Sequence, residues 1–144
     1  MGQCIIKFKA KRLGDGKWVE GYYVKKVAHN VVSKYDVVED GEEHFIFGMA
    51  KDDVQPYWHE VVHTTVCQFT GLKDCDGTSI YEHDLLRSEK TDSTYEVVWN
   101  QGNSSFSLIN TEVPVLYPTN TMGRMLHRRF KVIGNKFDRK EGEK

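Results

Sequence analysis

Turn-forming residues interrupt this chain at intervals too short for long helices. Gly14-Asp15-Gly16, Glu39-Asp40-Gly41-Glu42, Asp76-Gly77 and Asn100-Gln101-Gly102-Asn103 supply the small or positive-φ residues that reversals need. Between them lie short runs rich in β-branched and aromatic residues, which favour a pleated, half-buried surface. Such spacing predicts an antiparallel β architecture, of barrel or sandwich type.

The individual elements follow from alternation. Residues 5–11 and 17–24 alternate around Gly14-Asp15-Gly16 and predict a hairpin with Phe8 and Trp18 among its buried residues. A second hairpin is predicted from Tyr35-Asp36-Val37-Val38 and His44-Phe45-Ile46-Phe47, turning at residues 39–42. Lys51 to Pro56 reads as a loop, because Pro56 disfavours helix at Gln55. The run Val61-Val62-His63-Thr64-Thr65-Val66 predicts a strand, as do residues 94–99 and 105–109. Pro114 and Pro118 bracket an irregular segment. Met122, Met125, Leu126 and Phe130 share one face of a short helix over 122–130, and 130–134 reads as a closing strand. The expected fold class is therefore mainly β, a β-rich α+β chain of antiparallel hairpins with one short helix. A charged tail, 138–144, is expected to be disordered.

Composition bounds the function classes. With 144 residues, 39 % of them hydrophobic, the chain can bury one core of ordinary size. No apolar run reaches the roughly 18–20 residues of a membrane helix, and the opening residues carry no signal-peptide pattern. No membrane partner and a cytoplasmic location are thus expected. Cys4, Cys67 and Cys75 are an odd number without scaffold spacing, which suits reduced thiols. The net charge of -1 hides a segregation: residues 1–26 and 122–144 each carry +5, whereas 27–60 carry -6 and 61–121 carry -5.

Three constellations invite chemistry. His59-Glu60-Val61-Val62-His63 matches H-E-x-x-H, in which a helix stacks two histidines on one zinc and the glutamate serves as general base. Pro56 and the β-branched flanks argue for a strand, where the two rings would stand about 13 Å apart at about 3.3 Å per residue. A structural zinc held by His63, Cys67 and Cys75 lacks the paired C-x-x-C knuckle. The third constellation is the basic ends. In extended chain Lys7, Lys9 and Lys11 point to one face, opposite Phe8 and Ala10, and Arg124, Arg128, Arg129 and Lys131 cluster near His127. If the closing strand lay beside the opening one, these would form a single phosphate-binding patch, with Trp18, Tyr22 and Tyr23 as stacking surfaces. The opposing reading is a solvated face neutralised by the acidic middle. No phosphate loop and no nucleophile elbow are present.

Residues 65–85 carry something more specific. Thr65-Val66-Cys67-Gln68-Phe69-Thr70-Gly71-Leu72-Lys73-Asp74, then Asp76-Gly77 and Ile80-Tyr81-Glu82-His83-Asp84-Leu85, resemble the signature block of the YopX family of phage and prophage proteins. Lys7-Phe8-Lys9-Ala10 with Lys17 to Tyr22 resembles the family's opening, Tyr95 to Trp99 its central strand, and Val132 to Asn135 its close. The resemblance implies an SH3-like small barrel in the C-terminal part, a bacterial host cell, and no established activity. It divides the chain into an N-terminal hairpin region, 1–60, a barrel, 61–137, and the tail. Cys67 stands where the family usually has Gly, and His83 stands in the usual Glu-Gly-Asp. The motif residues Thr70, Gly71, Asp74, Gly77, Ile80, Tyr81, Glu82 and Asp84 read as fold-specifying: aspartates closing turns, Ile80 with Leu85 and Leu86 in the core.

Together these readings favour a non-enzymatic accessory protein without cofactor, acting through a protein partner or by self-association. Nucleic-acid binding through the basic ends is the alternative, and a metal-dependent hydrolase through His59, Glu60 and His63 the weakest.

Overall fold

The computed structural model describes residues 5–28, 41–49, 56–113 and 129–138, and their regular structure is antiparallel strand with two short 3₁₀ turns. The chain divides into two units, Ile6–Cys67 and Gln68–Lys144 with Met1–Ile5.

The first unit is a meander of β1 (Phe8–Lys11), β2 (Trp18–Ala28), β3 (Gly41–Met49) and β4 (Pro56–Glu60). Its first reversal is built by Asp15, whose carboxylate accepts the Lys17 backbone N–H at 3.0 Å and holds the Arg12 guanidinium, with Gly16 at φ 68°. The Arg12 contact, with the Lys17 amide behind it, keeps the Asp15 carboxyl well below its usual range. The sheet then curls upon itself. Arg12 bridges Val61, the Val62 N–H donates to the Lys11 carbonyl at 2.9 Å, and the Leu13 N–H donates to the Glu60 carbonyl at 3.0 Å. Ala10, Ile46 and Val61 fill the inside of the curl, with Phe8, Val19, Tyr23 and Val66 packed around them.

Three expectations change here. Phe8 and Trp18 are half-buried, and Ala10 is the residue of this hairpin that is fully enclosed, packed with Ile46 and Val61 inside the curl. Gly41 and Glu42 lie in strand, not in a turn: β2 runs on to Ala28, and Lys25 pairs with Glu42 at 2.7 Å and Lys26 with Glu43 at 3.8 Å across the ladder. The predicted partner strand 35–38 and the loop 51–55 lie outside the described residues. The third change is at Val61–Val66. Strand ends at Glu60, and His63–Thr65 form a 3₁₀ turn. There the Thr65 hydroxyl donates to the Val62 carbonyl at 2.7 Å and accepts the Lys11 N–H at 2.9 Å, replacing the ladder bonds the β-branched run would otherwise make.

The second unit contains β5 (Cys67–Lys73), which begins at the unit boundary, β6 (Ser79–Tyr81), β7 (Asp84–Ser88), β8 (Thr94–Asn100), β9 (Ser105–Asn110) and β10 (Phe130–Asn135). β5 and β6 form a hairpin, and the other four make an antiparallel sheet in the order β10-β7-β8-β9. Ile80, Leu86, Val97, Leu108 and Phe130 form its core, while Leu85 is only half-buried. The strands at 94–99, 105–109 and 130–134 appear as predicted. Among the described residues the pairings of this unit run in linear order, and the expected small barrel is not confirmed by them. The proposed helix at 122–130 lies outside the described residues up to Arg128, and Phe130 opens β10.

One position tests the close crossing of β2 and β3. A Cβ at Gly21 would run into the Phe47 carbonyl, and one at Gly48 would stand 2.7 Å from the Glu20 carbonyl, so neither glycine can be replaced without parting the strands. Gly14 has no atom within 4 Å of such a Cβ. Gly21→Ala is expected to cost about 2 kcal/mol or more, and Gly14→Ala less than about 0.5 kcal/mol, in urea unfolding followed by circular dichroism.

Candidate functional site

Alternation along β1–β4 puts the core residues on one face and a second set on the other. The ladder aligns that second set in rows. Tyr22, Phe47 and Trp58 cross β2, β3 and β4 in one row, and Val24, Phe45 and Glu60 make the next. Tyr22 is 65 % and Trp58 58 % exposed, unusual for large rings on a sheet. Phe47 tilts against Trp58 at 4.5 Å between ring centres, and Phe45 meets it edge-on at 6.0 Å. Two shallow depressions interrupt this surface: one of about 290 Å³ at Lys7, Glu20, Gly21, Tyr22, Phe47 and Gly48, and one of about 300 Å³ at Val24, Lys26, Phe45 and Trp58. The sequence carries the signal for this face. Tyr22-Tyr23-Val24 and Phe45-Ile46-Phe47 are continuous apolar triplets in antiparallel strands, and one side of each triplet cannot reach the core.

Lys7, Lys9 and Lys11 share the outer side of β1, and the Lys9 and Lys11 ammonium groups stand 4.7 and 5.4 Å from the Trp18 ring centre, in cation–π geometry. Tyr23 is not among the surface rings: it turns inward, hydrogen-bonds Nδ1 of His44, and burial raises its phenol above the usual range. In the second unit Arg129 pairs with Glu89 at 3.2 Å and Lys131 with Asp76 at 3.4 Å. Arg124 and Arg128 lie outside the described residues.

The H-E-x-x-H residues do not take the helical form that zinc chemistry needs. His59 and Glu60 end strand β4, and His63 opens the 3₁₀ turn. His59 packs edge-on against Tyr57 at 4.2 Å; partial burial, and then the Arg12 charge 3.4 Å from its Nδ1, hold its ring below the ordinary histidine pKa. His63 stacks on His44 at 4.8 Å. The Cys67 thiol is buried and donates to the Thr65 carbonyl at 3.2 Å, whereas Cys75 is exposed in the other unit. Among the described residues no group of three or more His, Cys, Asp or Glu is placed to hold a metal ion.

Residues 70–84 form a connected set of turns. The Thr70 hydroxyl donates to the Ile80 carbonyl at 2.7 Å, and Gly71, at φ 86°, sits where the β5–β6 register shifts. One oxygen of Asp74 accepts the N–H groups of Asp76 and Thr78, at 2.9 and 2.8 Å, with Gly77 at φ 83° between them; the other accepts the Val132 N–H at 3.0 Å. One carboxylate thus closes the hairpin and ties it to β10. Ile80 and Tyr81 are buried behind it. The buried Asp84 repeats the device, accepting the Tyr81 N–H at 2.8 Å and the Asn135 side-chain amide at 2.9 Å. At the turn between them the Glu82 N–H donates to the Gln68 carbonyl and the His83 N–H to that of Val97, at 2.9 and 2.7 Å. A family model described as YopX protein matches residues 7–141. The chain belongs to the YopX family. No curated protein matches it.

The two departures from the YopX pattern are accommodated locally. His83 holds φ 67°, the conformation the usual Gly would adopt freely, and its ring packs edge-on against Phe137 at 5.4 Å. Cys67 replaces the other Gly as a small buried side chain.

Two outcomes follow. His83→Val is expected to lose about 1–2 kcal/mol of stability, because a β-branched residue resists positive φ, while His83→Gly is tolerated; thermal unfolding compares them. Partial burial works against the Asp74 charge, but its three backbone donors outweigh this and hold the carboxyl below its ordinary pKa. A depressed folded-state pKa contributes stability above the unfolded-state value of about 3.9 and loses it as pH falls through the folded one. Asp74→Ala should therefore destabilise by about 2–4 kcal/mol at neutral pH and flatten the loss of urea stability below about pH 4.

Proposed function

We propose that this protein is a non-enzymatic phage or prophage accessory module that binds another protein through the outer face of its first sheet. The carrying observation is the row Tyr22, Phe47, Trp58, with its two outer rings more than half exposed. Tyr and Trp are the residues most enriched at the energetic centres of protein interfaces, and a polar rim around them is the usual anatomy. Here the rim carries both signs: Lys7, Lys9, Lys11 and Lys26 against Glu20, Glu43 and Glu60. A nucleic-acid surface draws its affinity from a field of one sign, so mixed charge favours a protein ligand. Membership of the YopX family points to a phage-type protein and supplies no activity. The strand geometry at His59 and Glu60 favours a binding role over hydrolysis.

A photo-crosslinking amino acid placed at Tyr22 or Trp58 of the full chain in the bacterial host tests this. Discrete protein adducts are expected at both positions and not at Val113, an exposed residue of the other unit. Absence of protein adducts at both, or adducts to nucleic acid alone, would overturn the proposal.

A further inference from the structure

The outer face of the first sheet is self-complementary, and we infer that its protein partner is a second copy of this chain, docked face to face. This rests on the reading of that face as the binding surface and names its occupant. Consider a twofold axis lying in the plane of the face, running along the strands between β2 and β3. It lays β2 of one copy over β3 of the other. The ladder then fixes what meets what. Within one chain Tyr22 is level with Phe47, Val24 with Phe45, and Lys26 with Glu43. Across the axis each of these becomes a contact between copies, made twice.

The contacts between the central strands are chemically matched. Tyr22 stacks over Phe47 of the second copy, and Val24 over Phe45. The Lys26–Glu43 pair, 3.8 Å apart within one chain, becomes an alternating square of four charges. Trp58, whose ring centre lies 4.5 Å from that of Phe47 and which is exposed, flanks these stacked rings at the rim of the contact. A face carrying one sign of charge would repel its own copy. The curl of the sheet confines contact to the central strands, so the interface falls near the small end of specific ones, about 1,200 Å² in total, with a micromolar dissociation constant. The product is a dimer of two curled sheets joined through β2 and β3.

Sedimentation velocity of the full chain from low to high micromolar concentration tests the inference. A concentration-dependent monomer–dimer equilibrium is expected. Lys26→Glu should weaken it about fivefold or more, since two symmetry-related pairs turn repulsive, and Glu43→Lys should do the same. The double variant should return to near wild-type association, because the square is rebuilt with its signs exchanged. Trp58→Ser should weaken association while the circular-dichroism spectrum stays that of the wild type, since the ring is exposed and outside the core. A chain that stays monomeric, a Lys26→Glu variant that associates as before, or a double variant weaker than either single one would overturn self-association. In that event crosslinks from Tyr22 to a different protein would leave the binding-module reading standing, whereas their absence would remove both.

Discussion

A β-strand points half of its side chains away from whichever core it helps to build. In the first unit that constraint decides almost everything. Four strands curl around Ala10, Ile46 and Val61, with Phe8, Val19, Tyr23 and Val66 packed against them, and only one face of each strand can reach that interior. The rings at Tyr22, Phe45, Phe47 and Trp58 are thereby left on the outside, where a stable small domain would ordinarily place threonine, lysine or glutamate. Kept there, they are the rings that the proposed binding function uses.

The second unit meets a different difficulty. Short strands and tight turns leave backbone N–H groups near the core without ladder partners, and such groups are costly when buried. Two aspartates supply the missing acceptors. Asp74 joins a hairpin turn to β10, and Asp84 joins the β6–β7 turn to Asn135, at sequence separations of 58 and 51 residues. Each carboxylate therefore acts both locally, as a turn former, and at long range, as a tether between the middle of the chain and its closing strand.

Much of this was legible in the sequence. The mainly β, antiparallel class followed from the spacing of turns, and strands β8, β9 and β10 from alternation flanked by Asn and Gly. Family membership followed from the block around Thr70-Gly71 and Asp76-Gly77, because those residues are chosen by backbone geometry that leaves a residue-level trace. What escaped depended on partners distant in sequence. Thr65 takes two hydrogen bonds, one of them to Lys11, and so converts a run of strand formers into a 3₁₀ turn. Lys25 and Lys26 look like the end of a strand until their ion pairs with Glu42 and Glu43 of the neighbouring strand are seen. The aromatic face was visible only in part: Trp18 and Tyr22 do lie on it, but Tyr23 turns to His44, and Phe47 and Trp58 join only through the ladder.

The bridge between Arg12 and Val61 also has a bearing on time. It links residues 49 positions apart, and contacts of such separation form late, after the entropy of a long loop has been overcome. During synthesis the hairpin of β1 and β2 emerges first, with Ala10 uncovered and both of its faces open to water. Only when Val61 and Val62 leave the ribosome can the curl close and the two faces acquire different fates. Until that moment inside and outside are not yet distinguished, and a nascent chain paused before residue 61 exposes the apolar residues of both.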